Sequence, residues 1–202
     1  MEKTENSIVD GVIWKQLLLF FFPILIGTFF QQLYNTVDTV VVGQYVGKEA
    51  LAAVGTTGTV INLLVGFFVG VSSGATVIVS QFFGAEDREN VSKAVHTSMA
   101  LAIVGGVVIM VVGFVSARPV LVAMSVPEEI LEDALLYMNV YYAGIIANMI
   151  YNIGTGILRA IGDSRMPLYI LIVCCLANVV LDLLFVVGFH WAVFGVAFAT
   201  VL

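Results

Sequence analysis

Two aspartates sit where an aspartate is costly. Of fourteen acidic residues, twelve lie in loops, at helix ends or in the N-terminal tail; Asp38 and Asp182 lie inside long apolar runs. A charged side chain at the centre of a bilayer costs about 2.5–3.5 kcal/mol on insertion scales, so each such residue is read as functional by default. A structural hydrogen bond can be made by asparagine with less desolvation. A carboxylate in this setting therefore points to chemistry in which its charge state matters. Two chemistries fit: uptake of a proton, shared if the two carboxyls titrate as a pair, or binding of Na⁺ through carboxylate, amide and hydroxyl oxygens. Either ion would tie the site to a transmembrane gradient, at about 2.3 kcal/mol per charge per 100 mV.

The neighbouring residues extend the pattern. Thr28, Gln31, Asn35 and Asp38 are spaced three, four and three apart, which puts four polar groups on one helix face. Asn178 and Asp182 share a face at i, i+4, and Thr200 enters on the last segment. Asp38 precedes Gly43 by five residues and Asp182 precedes Gly188 by six, so both carboxylates fall at similar depth near one end of their spans. Thr28, Gln31 and Asn35 are expected to line a cavity beside them. Pro23, lower on the first span, lacks an N–H and is expected to mark a helix bend.

The elements that must position these groups follow from composition. Hydrophobic residues make up 60% of the 202 residues and charged residues 11%. A soluble domain carries about 25% charged residues. The expected fold is an all-α membrane protein, a six-helix transmembrane bundle, with spans at about 17–42, 51–83, 91–117, 134–158, 167–189 and an incomplete sixth at 192–202. Asp87 is placed to cap the third helix, and Ser125–Glu128 has the spacing of a capping box for the fourth. Gly66, Gly70 and Gly74 form a smooth stripe suited to close helix contact. The adjacent Cys174 and Cys175 read as small apolar residues, with neither a disulfide nor a metal site implied. No basic run of the kind that binds nucleic acid is present. With alternating spans, Lys3, Lys15, Arg88, Lys93, Arg159 and Arg165 fall on one side and Lys48 and Arg118 on the other, which predicts a cytoplasmic N-terminus and a cell (plasma or inner) membrane location.

Several blocks, taken in order, resemble the multidrug and toxic compound extrusion (MATE) transporters. They are Asp38–Gly43 with Gly47 and Leu51–Gly55, then Ser80–Ala85, Leu158–Pro167, Asn178–Asp182 and Gly195–Thr200. The resemblance implies a twelve-helix fold of two lobes, of which this sequence supplies the N-terminal lobe. It implies export of organic cations or other amphipathic compounds by alternating access, driven by inward H⁺ or Na⁺, with no cofactor and no enzymatic step. It also implies roles: Asp38, Asn178, Asp182 and Thr200 as the cation or proton site, with Asn152 contributing from the fourth helix and Asn148 as its alternative, and Pro23 as the bend. The expected partners are the lipid bilayer, a small organic cation or drug, and a C-lobe or a second copy to complete the cavity.

Three other readings remain at this level. A related flippase would keep the fold but carry lipid-linked precursors; its phosphate-bearing cargo would favour a cationic cavity, and no lysine or arginine lies deep in the spans. A lobe without transport of its own is the second. An intramembrane aspartyl protease would also need two membrane aspartates, but is expected to show Tyr-Asp and Gly-x-Gly-Asp contexts, whereas Val37 precedes Asp38 and Leu181 precedes Asp182.

Overall fold

The computed structural model of the chain describes residues 12–202, the side chain of Ile13 excepted. Lys3, which enters the charge count above, lies outside them. Among the described residues the fold is all-helical: α1 (Ile13–Val41), α2 (Lys48–Gly84), α3 (Arg88–Ala123), α4 (Glu128–Ala143), α5 (Ile145–Ala160), α6 (Arg165–Asp182) and α7 (Ala192–Val201). In lipid every backbone polar group must be satisfied within the chain, which leaves helices as the natural solution for such apolar runs. Four helices are long and apolar enough to cross a membrane, and α4 with α5 makes a fifth crossing if the bent pair is one span.

The sequence expects one straight fourth span; the structure has two helices meeting at 51° around Gly144. Conversely, α1 passes through Pro23 as a single helix from Ile13 to Val41, without a break there. Two segments depart from α geometry. Val42–Val46 continues α1, and Leu183–Gly188 continues α6, as π-helix. Their widened turns are visible in the i+5 bonds from the Gly47 N–H to the Val42 carbonyl (3.1 Å) and from the Phe189 N–H to the Leu184 carbonyl (3.0 Å).

The core has two parts. The larger joins α2, α3, α4 and α5 through side chains such as Phe68, Leu121, Met138, Ile145, Met149 and Ile153. The smaller joins both π segments to α4 and α7 through Val41, Val42, Tyr137, Val186, Val193 and Val196. Close approach in the larger core uses glycines other than those of the expected stripe. A Cβ on Gly113 would run into the Tyr142 ring, and one on Gly156 would collide with Ser72 Oγ. At Gly66, Gly70 and Gly74 a Cβ would meet nothing, because these residues are exposed on the outer side of α2.

The helix ends are partly as expected. Asp87 Oδ1 accepts from the Asn90 N–H at 3.1 Å, and this backbone bond holds the Asp87 carboxyl below the usual aspartate range. The capping box at Ser125 does not form. The α4 N-cap is Pro127, without a side-chain bond, and Ser125 is turned into the left-handed region at φ 57°. Asp163 caps α6, accepting from the Arg165 and Met166 N–H groups at 2.9 and 3.0 Å.

Candidate functional site

Helices α1 and α6 pack side by side and bring their aspartates together. Asp38 is 8% exposed, Asn178 5% and Asp182 0%. Each carboxylate stands at the point where its helix begins to widen: Asp182 directly precedes the π segment, and Asp38 lies four residues before the other. π-Helical turns often mark functional sites, and no hydropathy pattern announces them. One turn beyond the carboxylates, Val41, Val42 and Val186 join Val193 and Val196 in the smaller apolar core.

The Asp38 carboxyl lies within hydrogen-bonding range of the Asp182 carboxyl and of the Thr200 and Tyr34 hydroxyls. Range alone does not satisfy it. Two ionised carboxylates are both acceptors, and Asp38 Oδ1, both Asp182 oxygens and both amide atoms of Asn178, Oδ1 and the donor Nδ2, are buried without a hydrogen-bond partner. The Thr200 hydroxyl is already committed, donating to the Val196 carbonyl at 2.8 Å. Its oxygen therefore faces the carboxylates with lone pairs, not a proton. The result is a cluster of buried oxygens short of positive charge. Unpaired polar groups of this kind are rare in folded proteins and call for an explanation. A shared proton would convert one carboxyl into a donor for the other. A Na⁺ ion would accept oxygen ligands from Asp38, Asp182, Asn178 and Thr200, all of them hard donors.

Two tyrosines belong to this site and were missed in the sequence. Tyr34 lies one turn below Asp38, and Tyr137 comes from α4; both hydroxyls reach Thr200. Tyr34 sits at i, i+4 to Asp38, a signal available in the sequence. Tyr137 had none, since only the fold brings α4 to α7. Cys175 is buried beside the same carboxylate, with its thiol 3.8 Å from the Phe30 carbonyl.

The other expected site residues lie elsewhere. Asn152 is not among the carboxylates. It borders a separate cavity of about 140 Å³ between α1, α2, α5 and α6, whose lining includes Pro23, Thr28, Gln31, Thr155, Arg159 and Ser164. Its amide is occupied with Asn148, donating to that residue's carbonyl and side-chain oxygens at 2.9 and 2.8 Å. Helical position explains the separation: Asn152 lies on α5, beyond the bend, while α4 is the half that reaches the carboxylates. Thr28 and Gln31 line this second cavity and not one beside the carboxylates, and Thr28 spends its hydroxyl on the Ile24 carbonyl. Asn35 lines neither site. It is exposed and donates to Gln32 Oε1 at 3.3 Å.

Comparison with known proteins agrees with the all-helical membrane fold. The sequence profile of the MatE family matches residues 23–184. The chain is 29% identical over 194 residues to the probable multidrug resistance protein YoeA of Bacillus subtilis (strain 168), covering 94% of this chain and 42% of that one. It is 30% identical over 175 residues to the probable multidrug resistance protein NorM of Bacillus cereus (strain ATCC 10987 / NRS 248), covering 86% and 38%. Among solved structures, an outward-facing multidrug resistance MATE family transporter of the MOP superfamily superimposes with a TM-score of 0.92 at 28% identity, over 100% of this chain and 44% of that one. Structures of a MATE protein in its straight and bent conformations both give 0.91. The chain thus spans less than half the length of the relatives it matches.

Proposed function

This chain belongs to the MatE family, and from that premise we propose that it forms one lobe of a cation-coupled multidrug exporter whose coupling ion, H⁺ or Na⁺, is carried by the Asp38–Asp182 cluster. The observation that carries this reading is the set of buried, donor-starved oxygens on Asp38, Asn178 and Asp182. A site that holds two carboxylates away from water is stable only with positive charge between them. Loading and release of that charge differ in cost between conformations. The ion gradient can therefore favour one state over the other and drive alternating access.

The surface of the lobe supports the two-lobed reading. On α3 the exposed side chains Leu101, Val104, Val108, Val111 and Val115 are apolar, as are Val173, Leu176 and Val180 on α6. These faces suit lipid. On α1 the exposed side includes Gln31, Gln32 and Asn35, and on α2 it includes Thr59, Asn62 and Ser73 beside the exposed glycines. Polar groups at membrane depth turn toward protein or water. The α1–α2 wall accordingly faces a water-filled pathway shared with a second lobe, supplied by the rest of a longer chain or by a second copy. The cargo is a small organic cation or amphipathic compound, the membrane is the cell membrane, and the N-terminus is cytoplasmic. No cofactor beyond the coupling ion is required.

Efflux of a fluorescent organic cation from vesicles, under an imposed pH or Na⁺ gradient and in the complete transporter, tests this reading. Asp38→Asn and Asp182→Asn are each expected to abolish gradient-driven efflux; unchanged efflux in both would refute it. One observation favours a second cargo. Arg159 borders the α1–α5 cavity, and a phosphate-bearing lipid precursor would need such a cation. Loss of lipid-precursor movement in Arg159→Gln, with drug efflux absent from the wild type, would select the flippase.

A further inference from the structure

The bend between α4 and α5 has no proline to cause it: none lies between Glu128 and Ala160. The bonding ladder even continues across the joint, from the Gly144 N–H to the Val140 carbonyl (3.3 Å) and from the Asn148 N–H to the Gly144 carbonyl (3.2 Å). Sharp kinks without proline arise where small residues meet or where a side chain is driven against the helix. Here the side chain is Val201 of α7. A Cβ on Gly144 would collide with both Val201 methyls and with its Cβ. The valine therefore fills the space that any other residue at 144 would need. A β-branched side chain is held in few rotamers, so it transmits displacement rather than absorbing it.

The residue before Val201 is Thr200, a member of the carboxylate cluster. Successive residues on an α-helix point about 100° apart. One turn of α7 thus faces the aspartates with Thr200 and the joint with Val201. The opposite end of α7 is held against the α6 extension. A Cβ on Gly195 would lie 3.1 Å from Phe185 Cβ, and Trp191 stacks on Phe185 with centroids 5.2 Å apart and planes at 16°. Phe185 belongs to the π segment that directly follows Asp182. Helix α7 is therefore tethered at one end beside Asp182 and wedged at the other into the bend. On the far side of that bend, α5 carries Asn152 and Thr155 into the second cavity.

We propose that Val201 and Gly144 are positioning residues that convert occupancy of the Asp38–Asp182 site into a change of the α4–α5 bend, and so reshape the cavity lined by Asn152. The proposal rests on the reading that the carboxylate cluster binds the coupling cation. When a cation draws the carboxylates and Thr200 together, α7 moves on its Phe185 tether and the Val201 methyls shift against Gly144. Opening or closing the joint then moves the α5 half of the cavity wall. The two sites are coupled without any shared ligand, and by linkage cavity occupancy must act back on cation affinity.

Spin labels at Leu136→Cys on α4 and Ala160→Cys on α5, in a Cys174→Ala/Cys175→Ala background, report the bend in the membrane-reconstituted protein. Pulsed electron resonance is recorded in choline or Na⁺ at pH 8, and in choline at pH 5. Na⁺ and proton uptake are measured on the same samples. The expected result is a shift of the inter-label distance with whichever cation is taken up. In Val201→Ala uptake persists and the shift is lost, whereas Val201→Ile retains both. Gly144→Ala displaces the distance without added cation, and adding Val201→Ala restores it. An undiminished shift in Val201→Ala, or cation uptake by the wild type without a shift, overturns the coupling and leaves the cation site standing. Absence of uptake by the wild type overturns the cation site and the coupling with it.

Discussion

The helical bundle holds two polar regions built on opposite terms. Around Asp38 and Asp182, buried polar atoms of both carboxyls and of Asn178 lack hydrogen-bond partners, one turn from the smaller apolar core. Around Asn152 the polar groups are largely spent on their own chain: the amide on Asn148, the Thr155 hydroxyl on the Asn152 carbonyl at 2.9 Å, and Ser72 Oγ on the same carbonyl at 2.6 Å. The first region is poised for an incoming charge; the second is satisfied and leaves room for a neutral or amphipathic body. A buried polar network with a deficit is costly unless something completes it, whereas a satisfied one is stable alone. Under the proposed function, the first region would hold the coupling ion and the second would contact cargo.

Substitutions on either side test that separation, and the largest effect belongs to the carboxylates. Asp182→Leu replaces the fully buried carboxylate with an apolar group and is expected to remove coupling while the protein stays folded, as read by melting temperature alongside vesicle efflux. Loss of folding together with transport would mean that the carboxylate is structural. Thr200→Val keeps shape and removes one oxygen. With a hydrogen bond to a charged group worth about 1.5–3 kcal/mol, apparent cation affinity is expected to fall by about ten- to a hundredfold, with cargo affinity unchanged when it is measured without the cation.

In the second region, Gly156→Ala drives a methyl into Ser72. Overpacking costs about 1–3 kcal/mol, so thermal stability should drop without loss of cation uptake. Asn152→Ala should weaken cargo binding while leaving the cation dependence of transport intact; equal loss of both would join the two regions into one site. The smallest effect lies outside both, at Asp87. Its folded pKa is depressed, so its capping contribution is present above the ordinary aspartate range and fades as pH falls through the lowered value. Asp87→Ala should therefore reduce the melting temperature slightly at neutral pH and hardly at all in acid.

The legible part of this molecule was what hydropathy and helical spacing encode. Five long apolar runs and the two aspartates inside them stand out in the sequence, and i, i+4 spacing joined Asn178 to Asp182. The Thr28–Gln31–Asn35–Asp38 face was only partly right. Helical geometry aligned those four groups, but neighbouring helices cover only Asp38; Thr28, Gln31 and Asn35 are exposed, and Asn35 is bonded to Gln32. Tyr137 was invisible because its approach to Thr200 depends on α4 meeting α7. The break at Gly144 was equally invisible: what packs against it is Val201, a contact far along the chain. The glycines misled for the same reason. Spacing on α2 marks a smooth stripe, but what lies opposite it is a tertiary fact, and here nothing of this lobe does.

The central claim is that Asp38 and Asp182 together hold one coupling cation. Direct uptake is its sharpest test. Purified, reconstituted protein is titrated with radioactive Na⁺ at pH 8, and proton uptake is followed with a pH dye after an acid jump, for the wild type and for Asp38→Asn/Asp182→Asn. The account predicts saturable uptake of one of the two ions by the wild type and none by the double variant. Uptake that survives in the double variant would contradict it.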